Sequence, residues 1–391
     1  MADAVIVSTA RTPIGKAFRG IFNDTHAADM GAHVIKHAAE RAKVDLAEVE
    51  DVILGCAAPE GTTGSNVARV SAMRAGAPVS VSGVTVNRFC SSGLQTISMA
   101  AQRVLVDKVP VMIAGGLESV SLVQGPPGGN KNRLVNPWVQ EHVPGIYHSM
   151  IQTADTVAAR YKISRQAQDE YSLQSQLRTA AAQQAGKFAD EIVPITVRGR
   201  KSDTVVEHDE HIRPDASVEK LATLRPIMLR QDEAATVTAG NASGQNDGAS
   251  VCIVTTPAKA EELGLRPLAR LVSWGLAGVP PRTMGIGPVP AVAKALDVAG
   301  VALKDVDLIE LNEAFAAQVL ACTREWDFKD SDFDRLNVNG SGISLGHPVG
   351  ATGGRILATM TREMARRDAR YGLETMCIGG GQGLAALFER V

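Results

Sequence analysis

The sequence lacks long apolar runs, aromatic residues and an excess of either charge. Aromatic residues make up 4% of its 391 residues, and 40 basic residues nearly balance 42 acidic ones, for a net charge of -2. Without a basic excess, the chain is not expected to bind nucleic acid. No stretch approaches the roughly 18 apolar residues of a membrane-spanning helix. These absences predict an ordinary globular protein. Its length of 391 residues predicts about two to three domains.

Cysteine is also scarce, and its spacing excludes two kinds of site. The five cysteines are an odd number and none forms a CxxC pair, so neither a disulfide framework nor a zinc site is predicted. No other Cys/His pattern has metal-ligand spacing, and no metal is expected. The N-terminal residues show no signal peptide. We therefore expect a reduced chain in the cytoplasm.

One of these cysteines occupies a position that favours reactivity. A β-branched run at residues 84–86 comes just before Cys90, and Leu94 and Ile97 follow at helical spacing. A second apolar run then stops at Gly115–Gly116, which completes a predicted strand, turn, helix and strand. A helix start favours a thiolate over a thiol. The alternative is that Cys90 is a small apolar residue filling the turn.

The second unusual stretch is a glycine cluster around a histidine. Six glycines lie between Gly340 and Gly354, and they surround His347. Glycine at this density indicates close backbone approach, and a histidine in such a loop suggests a functional role.

Two pairs of segments repeat between the first and last parts of the chain. Residues 85–87, before Cys90, resemble residues 337–339, before His347, and residues 114–116 resemble 378–380. The repeat predicts two similar α/β halves whose equivalent loops converge on one site. We expect residues 1–118 with 246–266 to form the N-terminal half and 267–391 the C-terminal half. Residues 119–245 are expected to be an inserted, mostly helical layer.

Four motifs together identify a family. They are NRFCSSG at 87–93, NEAFA at 312–316, GHPVG at 346–350 and CIGGG at 377–381, and TAGNASG at 238–244 also matches. With these motifs in order over the whole chain, the sequence resembles the thiolases, the acetyl-CoA acyltransferase family. The resemblance implies a thiolase-like α/β fold, in which two duplicated halves form a layered α-β-α-β-α sandwich with an inserted loop and helical domain.

The resemblance also implies roles for five catalytic positions. Cys90 is similar to the acylated nucleophile, and His347 to the group that activates it and polarises the thioester carbonyl. Asn312 is similar to the residue that positions a catalytic water in the first oxyanion hole. Cys377 is similar to the acid–base that exchanges the α-proton. The N–H groups of Cys90 and Gly379 match the second oxyanion hole.

Further positions match the family's substrate contacts. Arg213, Ala239 and Ser243 match contacts with coenzyme A, and Met150 and Phe315 match residues lining the acyl pocket. One departure is visible, because Ser149 stands next to Met150 where well-known biosynthetic relatives have a histidine. This departure affects the expected chain-length preference and oligomer type.

The implied activity is reversible thiolysis of 3-oxoacyl-CoA, as in fatty-acid β-oxidation, with acyl-CoA, acetyl-CoA and coenzyme A as substrates. No permanently bound cofactor is expected, and the chain is expected to form a homodimer or homotetramer. A decarboxylating condensing enzyme of the ketoacyl-synthase type is an alternative, although such enzymes lack a second acid–base thiol like Cys377. Another is a non-catalytic acyl-CoA or lipid carrier, although such proteins usually lose a catalytic residue.

Overall fold

The computed structural model describes residues 3–126, 128–129, 132–199 and 202–391. Over these ranges the strands are β1 (Val5–Arg11), β2 (Gly15–Lys16), β3 (Asp51–Gly55), β4 (Ser82–Val86), β5 (Val111–Glu118), β6 (Ile195–Val197), β7 (Thr204–Val206), β8 (Asn246–Thr255), β9 (Ala269–Gly278), β10 (Leu308–Leu311), β11 (Tyr371–Ile378) and β12 (Gln382–Glu389).

The helices in the same ranges are α1 (Ala27–Arg41), α2 (Val67–Ala75), α3 (Ser92–Gln102), α4 (Val120–Gln124), α5 (Pro137–His142), α6 (Met150–Arg160), α7 (Arg165–Gln184), α8 (Val218–Ala222), α9 (Pro257–Glu262), α10 (Pro288–Ala299), α11 (Ala316–Glu325), α12 (Gly342–Leu345) and α13 (Thr352–Arg367). None of the helices in the described ranges combines the length and apolar character needed to cross a bilayer.

The sheet contains the same strand arrangement twice. In the N-terminal part the order is β4-β3-β5-β8-β1, and in the C-terminal part it is β10-β11-β12-β9. A parallel bridge from Ile309 to Leu336 adds the equivalent of β4 beside β10. The two parts are joined edge to edge where Val5 and Ile6 of β1 pair with Arg270 and Ala269 of β9. The expected duplication is therefore confirmed, and its two sections form one continuous sheet.

Three apolar clusters separate the layers of this fold. Helices α1 and α2 cover the outer face of the N-terminal section, α10 and α11 cover that of the C-terminal section, and α3 and α13 lie between the two. Alternate residues of one strand point to opposite faces, so each section is buried on both sides. Representative residues are Val34, Ala68 and Leu54 in the first cluster, Ile53, Ile97, Met360 and Leu384 in the central cluster, and Ala291, Val319 and Leu387 in the third. The layered α-β-α-β-α prediction is confirmed.

The starts of the two central helices touch through glycine backbone. A Cβ atom placed on Gly353 would lie 2.1 Å from the backbone nitrogen of Leu94, and one on Gly93 would lie 2.8 Å from the carbonyl oxygen of Gly350. A Cβ on Gly350 itself would lie 2.3 Å from the carbonyl oxygen of Leu117. Backbone can approach this closely only where no side chain intervenes. The glycine cluster thus brings the loops of the two halves together.

Residues 119–245 hold α4 to α8 and the small β6–β7 hairpin. The predicted helices correspond to α6 and α7, and the Ser164 hydroxyl caps α7 by accepting a hydrogen bond from the N–H of Ala167. The exact domain boundaries stay a prediction, although β8, which follows this insertion, pairs with β1 and β5 of the N-terminal half.

Two local predictions differ from the structure. The strand expected to stop at Gly115–Gly116 continues to Glu118 as β5, where Glu118 still pairs with Gly248 of β8. The glycine pair does not end the strand but lets β8 approach closely, since a Cβ on Gly115, whose φ is 151°, would lie 2.1 Å from the carbonyl oxygen of Ser250. The β-branched residues at 236–238 predict another strand, but residues 236–244 contain only a turn at 239–240 and the isolated bridge of Ala242 to Phe315. The extra length of β5 carries Glu118 into the interior.

Candidate active site

Cys90 lies in a 3₁₀ turn, Phe89–Ser91, directly before α3. Phe89 has a φ of 44°, which is uncommon for a residue with a side chain. Its N–H donates to Asn87 Oδ1 at 2.8 Å, and its carbonyl oxygen accepts from Ser92 Oγ at 2.7 Å. These bonds hold a tight turn that places Cys90 at the wall of a cavity with 9% of its surface exposed.

The expectation that the helix start lowers the pKa of Cys90 is wrong for this structure. Burial raises the pKa of the Cys90 thiol to about 11. The N–H groups of Gly379 and Cys90 oppose this shift, and the nearby charge of Glu118 adds to it. Desolvation outweighs the local backbone effect because the C-terminal half covers the turn. At neutral pH, Cys90 is therefore a thiol that needs a base to react.

His347 is fixed through its backbone as well as its ring. Gly346 has a φ of 99°, and a Cβ there would lie 2.5 Å from the side chain of Asn246. This packing brings the His347 N–H to Asn246 Oδ1 at 3.0 Å, and Asn246 Nδ2 donates in turn to the carbonyl oxygen of Gly15. The loop of the C-terminal half is thus anchored on β8 of the N-terminal half.

The ring of His347 has a defined tautomer. Thr352 Oγ1 donates to the carbonyl oxygen of Pro348 at 3.0 Å and lies 2.6 Å from His347 Nδ1. Since the hydroxyl proton is already used, Nδ1–H must be the donor, and Nε2 keeps its lone pair. Burial, with the nearby charge of Arg355, lowers the pKa of His347 to about 3. The ring is neutral at pH 7, and the Nε2 lone pair faces Asn312 Nδ2 at 3.4 Å.

Asn312 directly follows β10 and lies beside Nε2 of this ring. Its Nδ2 is 3.4 Å from His347 Nε2, and its side chain is fully buried. Asn312 Oδ1 is buried without a partner among the described residues. Buried amide oxygens are normally hydrogen-bonded, so this atom is positioned to accept from water or substrate.

The second predicted catalytic thiol is completely buried. Cys377 is 0% exposed at the end of β11, in an apolar cluster that also contains Ala314 and Phe315. Burial raises the pKa of the Cys377 thiol well above its usual range, and the neighbouring Cys90 and Cys322 add to the shift. Cys377 is therefore held as a neutral thiol at pH 7.

A single cavity of about 610 Å³ brings most of the predicted residues together. Its lining includes Cys90, Met150, Ser243, Phe315, His347 and Gly379. Cys377 and Asn312 are buried next to this lining. Arg213 and Ala239 are exposed and do not belong to it, so their predicted contacts lie outside the cavity.

The remaining cysteines pack in the core. Cys56, Cys252 and Cys322 are each at most 1% exposed, and all five cysteines are unpaired. Three other residues of the site were not predicted: Glu118, Asn246 and Thr352. Only the position of Glu118, two residues after a glycine pair near the end of a strand, was a usable sequence signal. Within the described ranges, no group of three or more His, Cys, Asp or Glu side chains could hold a metal ion.

Thr352→Val should lower activity by removing the acceptor for His347 Nδ1–H while keeping the shape of the side chain. A general base typically raises the rate by about 10²–10⁴-fold. We expect a poorly oriented ring to lower kcat by about tenfold or more, with KM little changed. Steady-state thiolysis assays measure this. The matched control is Thr361→Val, because Thr361 is also buried in α13 and its hydroxyl bonds only to carbonyl oxygens of its own helix, those of Leu357 and Ala358. Equal kcat values in the two variants would contradict the orienting role of Thr352.

Comparisons with known proteins agree over the whole chain. Residues 4–258 match the model of the thiolase N-terminal domain, and residues 265–390 match that of the thiolase C-terminal domain. An acetyl-CoA acetyltransferase of Paracoccus denitrificans is 45% identical, with 100% of both chains covered. A beta-ketoadipyl-CoA thiolase of Pseudomonas aeruginosa is 46% identical, covering 100% of this chain and 99% of the relative. The crystal structure of the Bacillus anthracis acetyl-CoA acetyltransferase superposes with a TM-score of 0.90 at 40% identity, covering 100% and 99% of the two chains.

Proposed function

The chain belongs to the thiolase family, and we propose that Cys90 carries the acyl group in its acyltransferase reaction. The observation behind this is the pairing, in one cavity, of a buried thiol with a neutral histidine whose Nε2 carries the lone pair of the ring. A second buried thiol, Cys377, lies beside them. Acyl transfer coupled to carbon–carbon bond cleavage needs a nucleophile, a base, oxyanion donors and a separate acid–base group.

In the degradative direction, Cys90 Sγ attacks the 3-keto carbonyl of 3-oxoacyl-CoA while His347 Nε2 accepts the thiol proton. The carbonyl oxygen becomes an oxyanion beside the N–H groups of Cys90 and Gly379. Collapse of this intermediate breaks the bond between the α- and β-carbons and leaves the shortened acyl group on Cys90 as a thioester. The sulfur of coenzyme A then attacks that thioester, and the departing Cys90 sulfur takes back the proton held on His347 Nε2, which regenerates the thiol.

Cys377 supplies the proton for the other product. The carbon–carbon bond leaves its electron pair on the α-carbon of acetyl-CoA, and the Cys377 thiol protonates that carbon. The thiolate left on Cys377 then takes the proton of the incoming coenzyme A thiol, which restores Cys377 and activates coenzyme A. Burial favours the neutral thiol, which suits an acid at pH 7. In the condensation direction the same sulfur removes the α-proton. His347, which carries a proton on Nε2 once Cys90 is acylated, and a water positioned by Asn312 stabilise the enolate oxygen.

Labelling tests the assignment of the nucleophile. Enzyme incubated with radiolabelled acetyl-CoA should carry the label on the peptide containing Cys90. Label on the peptides of Cys56, Cys252 or Cys322 would show that the proposed nucleophile is wrong.

We propose that the acyl group is apolar, since Leu134, Ile146 and Tyr147 line the cavity with Met150 and Phe315. The relatives' names include both acetyl-CoA acetyltransferase and 3-ketoacyl-CoA thiolase. Coupled thiolysis assays with acetoacetyl-CoA and with a long-chain 3-oxoacyl-CoA distinguish these chain lengths and indicate whether the enzyme serves fatty-acid β-oxidation. Coenzyme A is proposed as a substrate, with no permanently bound cofactor.

Arg213→Ala should weaken coenzyme A binding more than it slows turnover. Coenzyme A carries phosphates that a guanidinium can pair, and a charge-assisted hydrogen bond lost on mutation costs roughly tenfold or more in affinity. The Arg213 backbone is fixed by its N–H bond to Gln176 Oε1 at 2.8 Å. The measurement is KM for coenzyme A in the thiolysis direction, with Arg225→Ala as an exposed arginine control. An unchanged KM would mean that Arg213 is only a surface charge.

We also propose that the chain assembles as a homodimer or homotetramer in the cytoplasm. The support is the resemblance to thiolases over the full length of the chain. Analytical ultracentrifugation measures the assembly, and cell fractionation measures the location.

A further inference from the structure

Glu118, at the end of β5, is a buried carboxylate inside the catalytic cavity that has no role in the steps above. Only 1% of its surface is exposed, and it lines the cavity together with Cys90 and His347. A buried carboxylate normally needs strong partners, so its hydrogen bonds indicate what it does.

Its two oxygens accept hydrogen bonds from both halves of the fold. Oε2 accepts the N–H of Ala57 at 2.9 Å and the N–H of Gly350 at 2.8 Å. Oε1 accepts the N–H of Ala58 at 3.1 Å and lies 3.5 Å from Cys56 Sγ, which donates to it. Residues 56–58 follow β3 of the N-terminal half, whereas Gly350 lies three residues after His347.

The chemistry of these contacts requires a carboxylate. Three backbone N–H groups and one thiol all act as donors, and an ionised carboxylate offers acceptors on both oxygens. Burial raises the pKa of Glu118, while the three N–H bonds counteract that shift. A glutamine has one acceptor oxygen and an NH₂ group, so it would leave at least one buried N–H facing another donor.

We propose that Glu118 is a positioning residue that holds the His347 loop against the Cys90 side of the cavity. The proposal rests on the roles given above to Cys90 and His347. By fastening Gly350, Glu118 fixes the turn that follows His347, and by fastening Ala57 and Ala58 it fixes the adjacent cavity wall.

The negative charge of Glu118 has a second, measurable effect. The groups that face Cys90 are Glu118 on β5, His347 from the C-terminal loop, Cys377 on β11 and the N–H of Gly379. Burial is the main reason that the pKa of Cys90 is raised, and the Glu118 charge raises it further. Removing this charge should therefore allow Cys90 to ionise at lower pH, whatever the rate of the catalytic reaction.

The test is Glu118→Gln in the full-length enzyme. We expect kcat for thiolysis to fall by up to about 10²-fold, because small misplacements of catalytic groups have effects of this size. We also expect the rate of Cys90 alkylation by iodoacetamide, measured by peptide mapping over a range of pH values, to rise at a lower pH in this variant than in the wild type. Alkylation does not depend on turnover.

Asp247→Asn is the matched control. Asp247 is a fully buried carboxylate on β8 that accepts from the N–H and hydroxyl of Ser121 and does not line the cavity. The Asp247→Asn variant should be less stable than the wild type, while the pH dependence of Cys90 alkylation stays unchanged. If Glu118→Gln gave the same kcat and alkylation profile as this control, Glu118 would be merely structural and the proposal would be overturned.

Glu118→Asp covers the case in which the glutamine variant does not fold. It keeps the charge but withdraws the carboxylate by one methylene from Gly350, so kcat should fall while the alkylation profile stays close to that of the wild type. A wild-type kcat would overturn the proposal. Failure of acetyl-CoA to label Cys90 in the wild type would instead overturn the proposed function, and the two failures are therefore distinguishable.

Discussion

Cys377→Ser should yield an enzyme that accepts acetyl from acetyl-CoA onto Cys90 but no longer condenses it with a second acetyl-CoA. A hydroxyl is harder to ionise than a thiol, so the variant keeps the shape of the side chain and loses its ability to move the α-proton. Loss of one general acid–base typically costs about 10²–10⁴-fold in rate. Radiolabel on the Cys90 peptide measures the first half-reaction, and exchange of the α-protons with solvent deuterium measures the second.

Two variants serve as controls for this separation. Cys90→Ser should abolish the acyl-enzyme itself. Cys322→Ser should preserve both half-reactions, because Cys322 is an equally buried thiol that donates to the carbonyl oxygen of Gly285. If Cys377→Ser blocked acetylation as completely as Cys90→Ser in a folded protein, Cys377 would belong to the first half-reaction and the proposed roles would be wrong.

Gly350→Ala should be among the most destabilising single changes in the chain. Its Cβ would lie 2.3 Å from the carbonyl oxygen of Leu117, 2.7 Å from that of Gly55 and 2.9 Å from the Cα of Cys56. All three are backbone atoms that cannot rotate away, so the loops must separate. We expect a loss of more than about 3 kcal/mol in the free energy of unfolding, the upper range for overpacking a core.

Urea denaturation of Gly350→Ala and Gly278→Ala measures this difference. A Cβ on Gly278 would have its nearest neighbour, the carbonyl oxygen of Gly381, at 4.0 Å. The free energy of unfolding of Gly278→Ala should therefore lie within about 1 kcal/mol of the wild-type value, as for an ordinary surface substitution. Similar denaturation midpoints for the two variants would show that the loops of the two halves are packed less tightly around Gly350 than the distances indicate.

The sequence was sufficient to predict the duplicated halves and six of the residues that line the cavity, among them Cys90 and His347. Cys90 and His347 stand out because each lies in a glycine-containing turn between regular elements, and local patterns reveal such turns. The pKa of Cys90 was predicted wrongly for the opposite reason. A helix start is a local feature, but burial of the thiol depends on the other half of the chain, whose cover raises the pKa.

The residues that hold the site in place were also beyond local reasoning. Asn246 lies 101 positions from His347 and Glu118 lies 232 positions from Gly350 along the chain, and both pairs meet only in the folded protein. Thr352 is closer in sequence, but its hydrogen bond depends on how the loop turns after Pro348. Arg213 and Ala239 match family positions, yet their exposure outside the cavity leaves their coenzyme contacts to experiment.

The contact between the two central helix starts restricts how the duplicated halves can evolve. Copies of a duplicated unit ordinarily accumulate substitutions independently of each other. Here a side chain gained at Gly93 would strike the backbone at Gly350, and one gained at Gly353 would strike the backbone at Leu94. A new side chain in either copy can therefore persist only with a backbone shift in the other. At the contact between the starts of α3 and α13, a substitution in one half therefore requires a change in the other, even where the rest of the two sequences diverges.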